Sequence, residues 1–138
     1  VQLHVAARRG DQAQALIDEL RPSLSGLQLS ASAHDSAALR PVFTRTDLLV
    51  QATSATLDGG ESAERFAAAL PWDALPADAG VTDLVYRPLQ TSVLQHAAAR
   101  KHATVNGLAM LLHQGALAFE RWTGKPAPLP EMRAALLG

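Results

Sequence analysis

Short apolar stretches with the two-residue period of a β-strand alternate along this chain with longer stretches at helical spacing, and that alternation limits the fold more than any other feature. Val1, Leu3 and Val5 alternate with Gln2 and His4 until Gly10 and Asp11 end the strand. Asp11 reads as a helix N-cap, with Ala13, Leu16, Ile17 and Leu20 at helical intervals up to Pro22. Residues 26–32, GLQLSAS, read as a second alternating strand, and 47–53, DLLVQAT, as a compact strand of the kind buried on both faces. From 54 to 80 the chain turns at Asp58-Gly59-Gly60, permits a helix from Glu61 to Leu70 and is then punctuated by prolines, a loop-rich segment suited to the border of a cleft. VTDLVY at 81–86 is the next strand, and Thr91 caps a helix whose buried stripe is Leu94, Ala97 and Ala98. ATV at 103–105 is a last short strand. The 108–122 helix aligns Leu108, Leu111, Leu112, Gly115, Phe119 and Trp122, with Gly124 as its stop, and Pro130 opens a final helix facing inward with Met132, Ala135 and Leu136.

Strands alternating with helices predict a parallel sheet with right-handed crossovers, a doubly wound α/β layer whose ligands sit off the carboxyl ends of the strands. The segments to inspect are therefore Ala6 to Arg9, Ala52 to Ser54, Leu84 to Arg87 and Asn106 to Gly107. With 138 residues the chain can bury roughly two-thirds of the surface its unfolded form exposes. A net charge of −1 advertises no broad basic field for nucleic acid or an anionic membrane, so any anion is bound locally. The absence of cysteine removes disulfides, thiol catalysis and thiolate metal sites. No apolar run approaches the roughly 20 residues of a spanning helix, no signal sequence opens the chain, and the expected location is cytoplasmic. A strand pattern starting at the first residue, without a turn or cap, also suggests a beginning inside a domain.

Arg8 and Arg9 close the first strand just ahead of a helix N-terminus, where backbone N–H groups and the helix dipole favour an anion; two solvated arginines in a turn are the plainer alternative. Gln114 shares a helix face with Met110 and Leu117, so its amide is expected to leave water on folding and to need a partner, either backbone or ligand. Tyr86, the only tyrosine, ends a strand where its hydroxyl faces a cleft or is satisfied in the core. The five histidines, His4, His34, His96, His102 and His113, show no metal-ligand spacing, and no metal is expected. Ser54 lacks the glycine-flanked elbow of a hydrolase nucleophile.

From Asp83 onward the residues Asp83, Tyr86, Pro88, Thr91 and Leu94, then Gly107, Met110, Leu111, Gln114, Phe119, Trp122, Thr123 and Gly124, resemble the C-terminal signature of the shikimate dehydrogenase family, D-x-x-Y-x-P-x-x-T-x-x-L followed by G-x-x-M-L-x-x-Q-x-x-x-x-F-x-x-W-T-G. Upstream, DLLVQATSATL is similar to the family's DLLVNATPLGM, and LHVAARRGDQAQAL to its VTVANRTPERAEAL. The resemblance implies a Rossmann-like NADP-binding fold in residues 1–106, with 107–138 forming helices that complete a substrate domain. It implies reduction of 3-dehydroshikimate to shikimate with NADPH, in aromatic amino-acid biosynthesis. Tyr86 and Gln114 then correspond to substrate contacts, Leu84 and Gly107 to positions at the nicotinamide end, Arg8 to the grip on the 2′-phosphate, with Arg9 beside it, and Thr53 and Ser54 to a loop along the cofactor groove.

Departures from the family pattern are also legible. Ala7-Arg8-Arg9 stands where the family has Asn-Arg-Thr, and Gln12 where a second basic residue is common. Gln51 replaces the asparagine of an Asn-Ala-Thr turn, so the resemblance does not carry over that loop's local hydrogen bond. The family's first strand, its glycine-rich phosphate loop and its N-terminal domain with the catalytic lysine–aspartate pair have no counterpart among these residues. The expectation is thus a chain without catalytic residues of its own, inactive alone, whose stripe of Leu111, Leu112, Phe119 and Trp122 lacks its usual cover and favours dimerisation. Two other readings stand beside it: a noncatalytic NADP- and shikimate-binding module, and a paralogue that acts on quinate or uses NAD.

Overall fold

The computed structural model describes residues 1–137, and among them the expected α/β alternation is present, with every strand pair parallel. The strands are β1 (Gln2–Ala7), β2 (Gln28–Ala33), β3 (Leu48–Gln51), β4 (Gly80–Asp83) and β5 (Thr104–Asn106). The helices are α1 (Gly10–Leu20), α2 (Ser36–Phe43), α3 (Gly60–Ala68), α4 (Ser92–Ala99), α5 (Leu108–Thr123) and α6 (Leu129–Leu137). Two compact units divide the chain: Val1–Asp47 with Ala69–Ala79, and Leu48–Ala68 with the residues from Gly80 onward.

In the first unit β1 and β2 pair from Gln2↔Gln28 to Ala7↔Ala33. Helix α1 packs on both strands and buries Ala13 and Ile17, one turn apart. It has no side-chain cap; Asp11, expected as the N-cap, lies inside the first turn because the helix starts one residue earlier, at Gly10. Helix α2 has no counterpart in the sequence reading. Asp35 caps it by accepting the Ala38 N–H at 2.9 Å, and Leu39 and Phe43 are buried from it although Pro41 lies within it. The proline-rich segment expected at a cleft border instead supplies core: Trp72, Leu75 and Ala79 are buried, and Arg40 of α2 forms an ion pair with Asp73. The opposite face of the two strands is polar. The Gln2 Nε2 donates to Gln28 Oε1 at 2.7 Å, and the His4 ring lies 2.9 Å from Ser30 Oγ and 3.0 Å from Ser32 Oγ.

In the second unit β4 lies between β3 and β5. Helices α3 and α4 pack on each other, α4 also against β4 and β5, and Ala63, Ala67, Val81, Val93, Leu94 and Ala97 are buried. The stripe on α4 includes Val93 and excludes Ala98, which is exposed. Strand β3 is not buried on both faces: Leu48 and Val50 are exposed, as is Val105, which lies two strands over in the same cross-strand row as Val50. The apolar run predicts cover on both faces, but among the described residues the face carrying Leu48 and Val50 is left exposed. Helix α5 ends as expected, with Gly124 in the left-handed conformation (φ 67°) that glycine adopts without a Cβ penalty, and Pro130 falls in the first turn of α6. These two helices pack on each other, yet only Ala116 of α5 is buried and Trp122 is 84% exposed.

Candidate functional site

The segment after β4 carries Leu84 and Tyr86, and a buried polar cluster fastens its root. Asp83, fully buried, accepts the Thr91 hydroxyl at 2.7 Å, the Thr56 hydroxyl at 2.9 Å and the Val85 N–H at 3.0 Å. Thr91 in turn accepts the Leu94 N–H and so caps α4. Thr56 accepts the Gln51 side-chain amide at 3.0 Å. Gln51 also bridges its own loop, donating to the Thr53 carbonyl at 2.9 Å and accepting the Thr53 N–H at 2.6 Å. The longer glutamine therefore supplies the local bond that the sequence left unassigned, and its extra methylene lets the amide reach Thr56 as well. Buried polar groups of this kind specify one arrangement only when all their partners are present, as they are here.

The other end of the loop meets the β5–α5 junction. A Cβ at Gly107 would overlap the carbonyl carbon and oxygen of Leu84, so only glycine fits. The Gly107 N–H donates to the Val85 carbonyl at 3.2 Å. Asn106 donates to the Leu89 carbonyl at 3.2 Å and accepts the Leu108 N–H at 3.1 Å. Leu84, Tyr86 and Gly107 are thus brought together, and Thr53 and Ser54 are linked to them through Gln51, Thr56 and Asp83. The close approach at Gly107 is between two parts of the chain itself.

Tyr86 lies three residues beyond β4, in the loop rather than at a strand end, because pairing stops at Asp83. The residue is 39% exposed, and its hydroxyl makes no hydrogen bond among the described residues. Gln114 is exposed, contrary to the expectation of burial. The residues sharing its helix face, Met110 and Leu117, are 44% and 68% exposed, so the apolar period marks a face without a covering element. Its amide is also without a hydrogen-bond partner among the described residues. Thr53 spends its hydroxyl on the Ala55 N–H, while Ser54 opens the following 3-10 turn.

The two arginines lie in the first unit, at the β1–α1 turn. Arg9 is tied to Asp11 at 2.7 Å; this exposed pair holds the Asp11 carboxyl below its ordinary range and raises the Arg9 guanidinium. Arg8 is exposed and forms no ion pair among the described residues. The turn therefore offers one uncommitted guanidinium beside the uncapped first turn of α1. No group of histidines and carboxylates among the described residues could hold a metal ion, and no helix is long and apolar enough to cross a membrane.

Sequence reasoning marked Asn106 only as part of a segment following a strand, without a role of its own, and overlooked Thr56, a hydroxyl in a loop of small residues. Asp83 was visible as part of a pattern, though nothing in spacing alone revealed the cluster around it.

Residues 107–137 match the Shikimate 5′-dehydrogenase C-terminal domain. The NADP(+) shikimate dehydrogenase of Haloarcula marismortui is 39% identical over 97% of this chain and 45% of its own length. Among solved structures, the Listeria monocytogenes shikimate 5-dehydrogenase in complex with shikimate and NAD is 27% identical, with a TM-score of 0.79, over 98% of this chain and 47% of the other. The Corynebacterium glutamicum quinate dehydrogenase in complex with NAD is 28% identical, with a TM-score of 0.78, over 99% and 46%. The chain spans about half the length of the relatives it matches. Sequence and fold alike thus identify this chain as the counterpart of the C-terminal part of the shikimate dehydrogenase family.

Proposed function

We propose that this chain is the cofactor- and substrate-contacting part of an NADP-dependent shikimate dehydrogenase, reducing 3-dehydroshikimate to shikimate. The observation that carries the reading is the pair formed by Tyr86 and Gln114: both stand where the family pattern has substrate contacts, and both present polar ends without a hydrogen-bond partner among the described residues. A phenol and a carboxamide can donate to and accept from ring hydroxyls, the chemistry a polyhydroxylated substrate requires. Arg8 would hold the 2′-phosphate of NADP, since charge-assisted bonds from a guanidinium suit that group and Arg8 has no competing carboxylate among the described residues, whereas Arg9 has Asp11. Leu84 and Gly107 would lie at the nicotinamide end, with Thr53 and Ser54 along the groove. The cofactor supplies hydride; these residues bind and orient.

In this reading the residues that move the proton belong to a part of the polypeptide outside these 138 residues, and the chain alone does not turn over. The exposed Leu117 and Trp122 of α5 support a covering partner, either the rest of such a polypeptide or a second copy. Arg8, without an ion pair among the described residues, favours NADP over the NAD-linked alternative.

The test is an NMR titration of the chain with adenosine 2′,5′-bisphosphate, 5′-AMP and shikimate. Shifts at Arg8 and the start of α1 with the bisphosphate alone, and at Tyr86 and Gln114 with shikimate, are expected. Equal responses to both nucleotides would remove the assignment of Arg8, and silence at Tyr86 and Gln114 that of the substrate contacts.

A further inference from the structure

Tyr86 and Gln114 lie on different elements, the loop after β4 and helix α5, and a site that uses both needs the two elements held in register. One side chain touches both. The Asn106 carboxamide donates from Nδ2 to the Leu89 carbonyl, three residues beyond Tyr86, and accepts at Oδ1 from the Leu108 N–H, the first residue of α5. Its orientation is unambiguous, because a carbonyl can only accept and an N–H can only donate. At the same junction the Gly107 N–H reaches the Val85 carbonyl, directly before Tyr86. Tyr86 thus lies between two points at which the β5–α5 junction grips its loop. The lower grip is made by backbone and survives most substitutions; the upper one is made by Asn106 alone.

We propose that Asn106 is a positioning residue that locks the Tyr86 loop to the start of the Gln114 helix, so that the two polar groups address one ligand together. This rests on the substrate reading of Tyr86 and Gln114, although the lock itself is present without ligand. A plain helix-start role is the competing explanation, and the two halves of the carboxamide separate them. Asn106→Asp keeps an oxygen for the Leu108 N–H and places a carboxylate near a helix N-terminus, where it is favourable, but has no donor for Leu89. Asn106→Ala loses both bonds.

Tyr86 is the only tyrosine, so a chain carrying 3-fluorotyrosine gives a single fluorine resonance. In the ligand-free protein, both variants are expected to shift and broaden that line and to speed amide exchange in residues 86–90, on the order of tenfold for a lost hydrogen bond. Only Asn106→Ala is expected to lower the melting temperature. A wild-type line and wild-type exchange in Asn106→Asp would overturn the proposal and leave Asn106 as a helix-start residue. Shikimate added to the unsubstituted chain tests the underlying reading separately: an unresponsive Tyr86 line would sink the substrate assignment while leaving the ligand-free result on the lock intact.

Discussion

The turn after β1 and the loop after β4 both follow a parallel strand and both carry candidate ligand contacts, yet they are built in opposite ways. Around Arg8 there is one exposed ion pair, Arg9–Asp11, and a helix start without a side-chain cap. Around Tyr86 there is a fully buried carboxyl with three donors, a glycine forced by the Leu84 carbonyl, and an asparagine bridge. Under the proposed function, the difference matches what each would recognise. Charge attracts a phosphate over several ångströms and tolerates a mobile arginine, whereas telling one ring hydroxyl from another requires donors and acceptors fixed to a fraction of an ångström.

If that contrast is right, the largest effects lie in the second unit. Gly107→Ala drives a methyl into the Leu84 carbonyl and should cost more than about 4 kcal/mol, read as loss of cooperative unfolding or failure to fold. A variant melting within a few degrees of the parent would show that the junction gives way. Next, Asp83→Ala orphans the Thr56 and Thr91 hydroxyls and should cost about 3 kcal/mol in chemical denaturation. Asp83→Asn, which keeps the shape and one accepting oxygen, should lose less; equal losses would mean that both carboxylate oxygens, rather than shape, hold the loop.

Substitutions at the arginine turn should leave stability alone and change binding only. Arg8→Ala is expected to weaken NADPH by about tenfold to a hundredfold and to leave NADH unaffected, with an unchanged melting temperature. Arg9→Ala should do far less, and the reverse ranking would transfer the phosphate to Arg9. The smallest effect concerns His4. Burial, and then Arg45, push its pKa below the ordinary 6.5, so the unfolded chain takes up the proton first. Stability should therefore fall as pH drops through about 6.5 and level off below the folded value. His4→Gln should remove this contribution from the pH dependence of unfolding, and an unaltered profile would rule it out.

The parts of the fold written in local chemistry were legible in the sequence. Thr91 and Gly124 act at the helix ends where their side-chain or backbone preferences place them, and the strand–helix alternation holds from β1 to α5. Helix α2 has no counterpart in the sequence reading, although Asp35 caps it as Thr91 caps α4; Pro41 lies within it. The errors at Leu48, Val50 and Gln114 share one cause: apolar periodicity reports that a face is meant to be covered and says nothing of whether the covering element belongs to the same stretch of sequence. The tertiary cluster at Asp83 was illegible for a different reason, since Gln51, Thr56 and Thr91 are brought together only by strand pairing. Family resemblance proposed Tyr86, Gln114 and Arg8 as contacts, yet it gave no hint that Asn106 bridges the Tyr86 loop and the start of α5.

In the chain running from Gln51 through Thr56 to Asp83 each donor already has a fixed destination: the amide can only give, the carboxylate can only take, and the threonine hydroxyl between them is spent in both directions. Such a line of dipoles has one proton arrangement and cannot reverse. It is therefore a poor conduit for protons and a stiff electrical surrounding at the root of the Tyr86 loop, one that does not reorganise when charge appears nearby.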